Sequence, residues 1–209
     1  TNLKTLISKL NDTSRKAAER AASICMARGH FEVDLEHLFL ALLEQPQSDF
    51  VLICKRHGVA ATELQRDLEA ELARFKTGNT RTPVFGHNLP TLLEHAWLIA
   101  SLDAHNHRIR SAHLLMALLT EDSLRQMAQR SSKLFGRFKL DELKHKLDDA
   151  TRGSQEASDA LRSAEAPAAG DEEGDAAGTP AVNQTPALDQ FTTNLTQRAR
   201  DGKLDPVIG

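Results

Sequence analysis

The sequence has little of what nucleic-acid-binding and membrane-spanning proteins need. It contains no tyrosine and one tryptophan, and aromatic residues make up 4% of the chain, which argues against platforms for stacked bases. Its formal net charge is −3, whereas nucleic-acid binding depends on lysine and arginine against phosphates. No apolar run reaches the roughly 18 residues of a membrane span, and the start lacks a signal peptide's apolar core. These absences predict a cytoplasmic protein that binds neither nucleic acid nor membrane.

Cysteines and catalytic motifs are equally scarce. Cys25 and Cys54 stand in separate apolar runs without a C-x-x-C pair, so both are expected to be reduced core thiols. His105 and His107 have no third ligand at metal-binding spacing, and no metal site is predicted. The chain has no Walker A or Walker B motif and no recognisable hydrolase signature, so we expect no catalytic residues.

Three zones of different composition follow one another along the chain. Residues 1–150 are dense in leucine, alanine and other helix formers, which predicts an all-α domain. Residues 151–187 are rich in alanine, glycine, proline and acid, and predict a flexible acidic linker. A short helix around 157–166 is compatible with this composition but has nothing obvious to pack on. Residues 188–209 return to helical spacing and look like the start of a second, truncated domain.

A duplicated phrase organises the first zone. The string EHLFLALL at 36–43 returns as AHLLMALL at 112–119. Each copy has a helix with small residues, then a connection with one β-branched residue, Val33 or Ile109, then the apolar helix. We expect about four helices in each half. The halves should pair around a pseudo-twofold axis, because each then covers the other's apolar face.

The histidines of the duplicated phrase invite a functional interpretation. His37 and His113 occupy equivalent helix starts. We predict that both are structural and hydrogen-bond the neighbouring loop. Asp34 and Ser111 are the residues expected to cap these helices.

The repeated segments resemble a known family. RGHFEVDLEHLFLALLEQP at 28–46 and IRSAHLLMALL at 109–119 look like the double-repeat N-terminal domain of Clp-type AAA+ unfoldases. LTQRARDGKLDPVIG at 195–209 is similar to the entry into their first ATPase module. LKTLISKLN at 3–11, an extra segment before the first repeat, and LLEQPQSDF at 42–50 resemble the ClpV branch of bacterial type VI secretion.

The resemblance implies a substrate-recognition domain of a hexameric ATPase that disassembles and recycles contracted secretion sheaths. Its partner would be an N-terminal helix of a sheath subunit, bound in a hydrophobic groove. The full-length protein would use ATP and Mg²⁺, with Val207 and Ile208 bordering the adenine, whereas this chain alone would bind no cofactor. ATPase modules would build a homo-hexamer, and the isolated chain would be a monomer. The alternative is a ClpB-like or ClpA-like domain that binds unfolded substrates or a degradation adaptor.

Excess apolar surface indicates where a partner could bind. The apolar arc of helix 14–30 spans roughly 200° on a helical wheel, wider than a helix that faces only its own core needs. The amphipathic segment 3–10 is too short to be stable alone, so it must pack on something. The loop between the repeats adds apolar residues. The groove candidates are Leu6, Ile7, Leu10, Ala18, Ala22, Cys25, Met26, Val84, Phe85 and Leu89. Both sides of helix 14–30 could instead be core, and Phe85 could instead plug the space under its loop.

Overall fold

The structure is a computed structural model that describes residues 2–102 and 107–165. The described residues are mostly helical, and the predicted all-α class is confirmed. The elements are α1 (Leu3–Ser8), α2 (Asp12–Ala27), β1 (Glu32–Val33), α3 (Leu35–Leu43), α4 (Asp49–Arg56), α5 (Ala61–Leu72), β2 (Val84–Phe85), α6 (Asn88–Ser101), α7 (Ser111–Thr120), α8 (Asp122–Ser131), a 3₁₀ turn (Lys133–Arg137), α9 (Leu140–His145), α10 (Leu147–Ala150) and α11 (Gln155–Glu165).

The helices form two halves that share one core. In the first half α2 packs on α3, and in the second half α6 packs on α7 in the same way. Helix α4 packs against α7 and α5 against α8, so the halves cover each other's apolar faces. The buried rings of Phe39 and Phe50 meet edge to face at 5.2 Å near the centre. Helix α1 precedes the two halves, while α10 and α11 follow them.

The two helices of the duplicated phrase begin with the same hydrogen bond. The backbone N–H of Asp34 donates to Nδ1 of His37 at 2.9 Å, and that of Arg110 donates to Nδ1 of His113 at 3.0 Å. Asp34 caps α3 as predicted, since its carboxylate accepts the N–H of Leu35 at 2.7 Å. The prediction that Ser111 caps α7 is wrong by one residue. Ser111 is the first residue of the helix, and its hydroxyl bonds elsewhere.

The halves exchange backbone hydrogen bonds across their boundary. Strand β1, from the first half, pairs in parallel with β2, which leads into the second half, and the N–H of Gly86 donates to the Val33 carbonyl at 2.8 Å. In the same way Leu10 bridges to Ile109, and the N–H of Asn11 donates to the Ile109 carbonyl at 3.0 Å. Because these residues occupy equivalent positions in the two copies, the two pairings are reciprocal, as a twofold relation requires.

The short strand β2 (Val84–Phe85) lies within the loop that we predicted between the repeats. Two residues are too few to show the alternation by which a strand is recognised in a sequence. Gly86 suits this close approach of two backbones, because a Cβ atom there would lie 3.2 Å from the Val33 carbonyl oxygen. The half-buried Phe85 is therefore held by a backbone pairing.

Helix α11 corrects the predicted boundary of the folded domain. Residues 151–165 are not a free linker, since the Glu156 side chain is completely buried. Its carboxylate accepts hydrogen bonds from Nδ2 of Asn11 at 2.9 Å, from the N–H of Asp49 at 2.7 Å, and from both the N–H (2.7 Å) and the hydroxyl of Ser111. These donors stand at the N-terminal ends of α2, α4 and α7. Glu156 thus joins three helix ends.

This burial of an acidic residue has a physical explanation. The N-terminal ends of helices present unpaired N–H groups and partial positive charge, which stabilise a carboxylate. Beside it, Asp49 forms a bidentate ion pair with Arg110 at 2.8 and 2.9 Å and accepts the Ser154 hydroxyl at 2.7 Å. Burial and the nearby Asp49 carboxylate raise the pKa of Glu156 to about 7, against the lowering effect of its hydrogen bonds.

Residues 166–209, the rest of the predicted linker and the truncated domain, lie outside the described residues.

A buried histidine pair ties the start of α3 to the end of α2. Nε2 of His37 lies 2.9 Å from Nδ1 of His30. Since Nδ1 of His37 accepts a backbone N–H, its proton must be on Nε2, which donates to His30. The Phe75 ring covers both imidazoles, with centroids 5.2 and 5.4 Å away. Burial, assisted by His30 and Arg28, lowers the pKa of His37 to about 3.

Replacing Glu156 tests the role of α11 in the fold. We expect Glu156→Ala to lower the free energy of unfolding by about 3 kcal/mol or more, because it leaves buried N–H groups of Asp49 and Ser111 without an acceptor. Urea denaturation followed by circular dichroism measures the change. The control is Glu94→Ala, which removes an exposed carboxylate of α6 and should change stability by less than about 0.5 kcal/mol. Equal stability of the two variants would show that α11 is dispensable.

The histidine pair predicts a pH dependence of stability. A pKa lowered in the folded state means that the unfolded chain binds the proton first, so stability is lost as pH falls from about 6.5 towards 3. We compare wild type with His37→Gln, which can keep the cap but cannot titrate. The raised pKa of Glu156 has the opposite effect, because it favours the folded state as pH falls. Glu156 is present in both proteins, so its effect cancels in the comparison.

Between pH 7.5 and 5, wild type should lose more free energy of unfolding than His37→Gln in urea titrations. Parallel pH profiles for the two proteins would contradict the assigned neutral state of the pair.

Candidate peptide-binding cleft

An apolar cleft lies where the two halves meet. Helices α1, α2 and α6 and strand β2 form its walls, and β1, α3 and α7 contribute to its floor. The lining residues are Leu3, Ile7, Leu10, Ser14, Ala18, Ala21, Val33, Leu38, Phe85, Leu89, Leu93 and Leu114. The centre of a water-sized sphere can move within about 20 Å³ of the space inside. The cleft is therefore nearly closed in this structure.

The cleft lies on the pseudo-twofold axis. Eight of its twelve lining residues form pairs of equivalent positions in the two copies. These pairs are Leu10 with Phe85, Ser14 with Leu89, Ala18 with Leu93, and Leu38 with Leu114. The same register follows from the reciprocal backbone pairings between the halves. The site is therefore built from both copies at once.

The side chains on the two sides of the cleft differ in size. On the α2 side the lining residues Ser14, Ala18 and Ala21 are small, whereas α6 contributes Leu89 and Leu93. Small side chains let another backbone approach closely, as they do between packed helices. The α2 side therefore offers the closer approach for a ligand.

Helix α1 makes the cleft asymmetric, because only the first copy is preceded by it. It spans six residues and packs on α6, with Leu3 and Ile7 in the cleft wall. Its C-terminal end is held by Arg108, whose guanidinium donates to the Ser8 carbonyl at 2.7 Å. The neighbouring Lys9 ammonium lies 4.9 Å from the centroid of the Trp97 ring. The predicted extra helix is thus present and forms one wall.

The structure brings half of the predicted groove residues together. Those in the cleft are Ile7, Leu10, Ala18, Phe85 and Leu89. Those that do not line it are Leu6, Ala22, Cys25, Met26 and Val84. Met26 is 52% exposed near the C-terminal end of α2. One edge of the wide apolar arc of α2 packs in the core, and the edge that carries Met26 faces solvent.

Sequence reasoning missed the remaining lining residues. They are Leu3, Ser14, Ala21, Val33, Leu38, Leu93 and Leu114. A signal for two of them was available, since aligning the two copies makes Leu93 the equivalent of Ala18 and Ser14 the equivalent of Leu89. Ser14 carried no signal of its own beyond this alignment, because a serine near a helix start is usually a surface residue.

Cys25, predicted as a groove residue, belongs instead to the histidine pair. Its Sγ and one ring nitrogen each of His30 and His37 all lie within 4.8 Å of one another, a spacing that a metal ion could bridge. The chemistry does not fit a metal, since His37 uses Nδ1 as acceptor and Nε2 as donor and so offers no free lone pair. Burial also raises the pKa of the Cys25 thiol to about 12, which disfavours the thiolate that a metal requires.

Two further expectations concern other parts of the chain. His105, Val207 and Ile208 lie outside the described residues. Within 2–102 and 107–165, none of the helices combines the length and the apolar character that crossing a bilayer requires.

Relatives of known sequence match nearly the whole chain. It is 34% identical over 206 residues to the chaperone protein ClpB of Yersinia enterocolitica, a match that covers 99% of this chain and 23% of that protein. It is 32% identical over 211 residues to the AAA+ ATPase ClpV1 of Pseudomonas aeruginosa, which covers 98% of this chain and 23% of ClpV1. The chain thus spans about a quarter of the length of these relatives.

Solved structures share its fold. The N-domain of ClpV from Vibrio cholerae is 31% identical, with a TM-score of 0.66 over 74% of this chain and 92% of that one. A complex of a ClpV N-domain with a VipB peptide is also 31% identical, with a TM-score of 0.64 over 74% and 94% of the two chains. The resemblance to ClpV N-terminal domains that the sequence indicated is confirmed.

A family model matches most of the described domain. It is that of the Clp repeat (R) N-terminal domain, and it covers residues 9–132. Both copies of the duplicated phrase fall inside this range, while α1 and α11 lie outside it. The chain belongs to the Clp repeat N-terminal domain family.

Proposed function

We propose that this domain binds a helix at the N-terminus of a type VI secretion sheath subunit in the axial cleft, so that an attached ATPase can disassemble contracted sheaths. The observation that supports this most directly is the apolar cleft walled by α1, in a fold similar to a ClpV N-domain that was solved with a VipB peptide. Helix α1 precedes the residues matched by the family model, in line with the ClpV-like segment before the first repeat.

The lining of the cleft suits an amphipathic helix. Eleven of its twelve residues are apolar, and those on α2 and α6 lie along the cleft so that anchors at i, i+3, i+4 and i+7 of a ligand could meet them. Such a surface stabilises leucine-like and aromatic side chains and rejects buried charge. A helix displayed only after sheath contraction would then be distinguished by its exposed apolar face.

Binding requires the cleft to open, since its free space is about 20 Å³. Helix α1 is the wall best suited to move. A helix of six residues has little stability of its own, and its C-terminal end is fixed by few polar bonds, from Arg108 to Ser8 and from the Ile109 N–H to the Lys9 carbonyl at 2.7 Å. A modest outward shift of α1 would expose Ile7 and the small residues of α2 together.

Phe85 is placed to be an anchor for the ligand. It lines the cleft at the β2 end, is half-buried, and is held by the pairing of β2 with β1. A half-buried aromatic side chain on a fixed backbone loses little freedom when a partner covers it, which is the usual character of an interface hot spot.

The rest of the function depends on parts of the full-length protein beyond this domain. We propose that the parent is a cytoplasmic ATPase that uses ATP and Mg²⁺, assembles as a homo-hexamer through its ATPase modules and carries six of these domains, while the isolated chain is a monomer. Several domains on one ring would raise the effective concentration of binding sites on a sheath. Val207 and Ile208 would border the adenine only when the ATPase module is complete.

A second candidate rests on the similarity to ClpB. The Yersinia enterocolitica protein is as similar to this chain as ClpV1 is. A ClpB-like domain would bind unfolded chains of varied sequence, and a ClpA-like one a degradation adaptor, rather than one helix. The two candidates therefore differ in the selectivity of the same cleft.

Peptide binding tests the proposal directly. A fluorescently labelled VipB peptide should bind the domain saturably, with a Kd on the order of micromolar in anisotropy titrations. Phe85→Ala should weaken binding about tenfold or more, because it removes an anchor from the cleft. The matched control is Leu98→Ala on α6, which removes a 60% exposed side chain outside the cleft and should leave the Kd unchanged.

A competition experiment separates the two candidates. Reduced, carboxymethylated lactalbumin, which is permanently unfolded, should not displace the VipB peptide at comparable concentrations. Displacement by the unfolded protein would favour the ClpB-like function, and absence of VipB binding to a folded domain would refute the sheath-binding one.

A further inference from the structure

One polar side chain interrupts the apolar cleft. Ser14, on α2, is completely buried, and its hydroxyl has no hydrogen-bond partner in the structure. The other eleven lining residues are apolar. Buried hydroxyl groups are nearly always paired, so an unpaired one needs an explanation.

The helix start explains why Ser14 is unpaired. In α3 and α7 the third helical residue, His37 or His113, accepts the N–H of the N-cap residue. Ser14 holds the same position in α2, but the N–H of its N-cap Asn11 donates to the Ile109 carbonyl at 3.0 Å. The backbone pairing that joins the halves thus removes the local partner of the Ser14 hydroxyl.

Water is a poor substitute partner. The free space in the cleft is small, since the centre of a water-sized sphere can move within only about 20 Å³. A buried water needs two to four polar partners, and among the lining side chains only Ser14 is polar. The hydroxyl is therefore left for a group that enters from outside.

We infer that Ser14 determines the specificity of this cleft by pairing with a small polar side chain on the otherwise apolar face of the bound helix. This inference rests on the proposed function, because it names a feature of the peptide that the cleft would select. The backbone groups in the middle of a ligand helix bond to one another. The partner of Ser14 is therefore a side chain such as serine, threonine, asparagine or glutamine.

Close approach at this point is built into α2. Ala18 lies one turn after Ser14, and Ala21 follows, so the α2 side chains next to the hydroxyl are small and allow a ligand helix to come close once the cleft is open. A short polar side chain can then reach Oγ at hydrogen-bond distance, while neighbouring apolar anchors contact Leu89 and Leu93 opposite.

The same residue would fix the direction of the ligand. A cleft on a pseudo-twofold axis presents similar walls to a helix that enters in either of two opposite orientations. Ser14 and its equivalent Leu89 make these orientations different, since only one of them brings the ligand's polar residue to a hydroxyl and the other places it against a leucine.

A scan of the peptide against two proteins tests the inference. Variants of the VipB peptide, each with one polar residue replaced by alanine, are titrated against wild type and Ser14→Ala. One replacement should weaken binding to wild type about fivefold, the size of one hydrogen bond, and should have no effect on binding to Ser14→Ala. Ser158→Ala, an exposed serine of α11, is the control and should behave as wild type.

The thermal midpoint gives an independent readout. Removing an unpaired hydroxyl should leave the Tm of the peptide-free Ser14→Ala domain unchanged or higher, whereas removing a structural hydroxyl would lower it. The inference is overturned if no peptide position depends on Ser14, if Ser14→Ala weakens all peptides equally, as a backbone contact would, or if it lowers the Tm without altering selectivity. A wild-type domain that binds no peptide would overturn the proposed function as well.

Discussion

The reciprocal backbone pairing between the halves is the constraint on which the rest of the structure depends. The connecting segment of each half forms backbone hydrogen bonds with the other half. The Val33 carbonyl accepts the N–H of Gly86, and the Ile109 carbonyl accepts the N–H of Asn11. This exchange sets α2 next to α6 across the pseudo-twofold axis and leaves the cleft between them. It also takes the N–H of Asn11 away from the start of α2. The architecture of the fold and the unpaired hydroxyl in the cleft therefore have one cause.

The proposed function depends on where the two copies differ. A perfectly symmetric pair of halves would present the same wall twice and could not orient a ligand. Ala18 stands opposite Leu93, Ser14 opposite Leu89, and α1 accompanies the first copy alone. The backbone pairing that occurs in both copies supplies rigidity on the axis, while in the proposed function the side chains of α1 and α2 supply a movable wall and a close approach.

The sequence predicted the features that depend on helical periodicity and duplication. The helices, the division into halves, the short first helix and five of the twelve cleft residues were predicted from the spacing of apolar side chains and from the duplication. Glu156 could not be predicted, because an acid in an alanine-rich segment looks solvent-exposed until three helix ends converge on it. The side of α2 on which Cys25 packs could not be predicted either. Whether a residue on a wide apolar arc faces a cleft or the core is decided by neighbours far away in the chain.

The central claim is that a peptide helix binds in the axial cleft between α1, α2 and α6, and methyl NMR tests it most directly. The domain, labelled at leucine and isoleucine methyl groups, would be titrated with the VipB peptide. The account predicts the largest shift changes at the cleft residues Leu3, Ile7, Leu89 and Leu93. Changes confined to the exposed residues Leu98, Leu102 and Leu161, with an unaltered cleft, would contradict it.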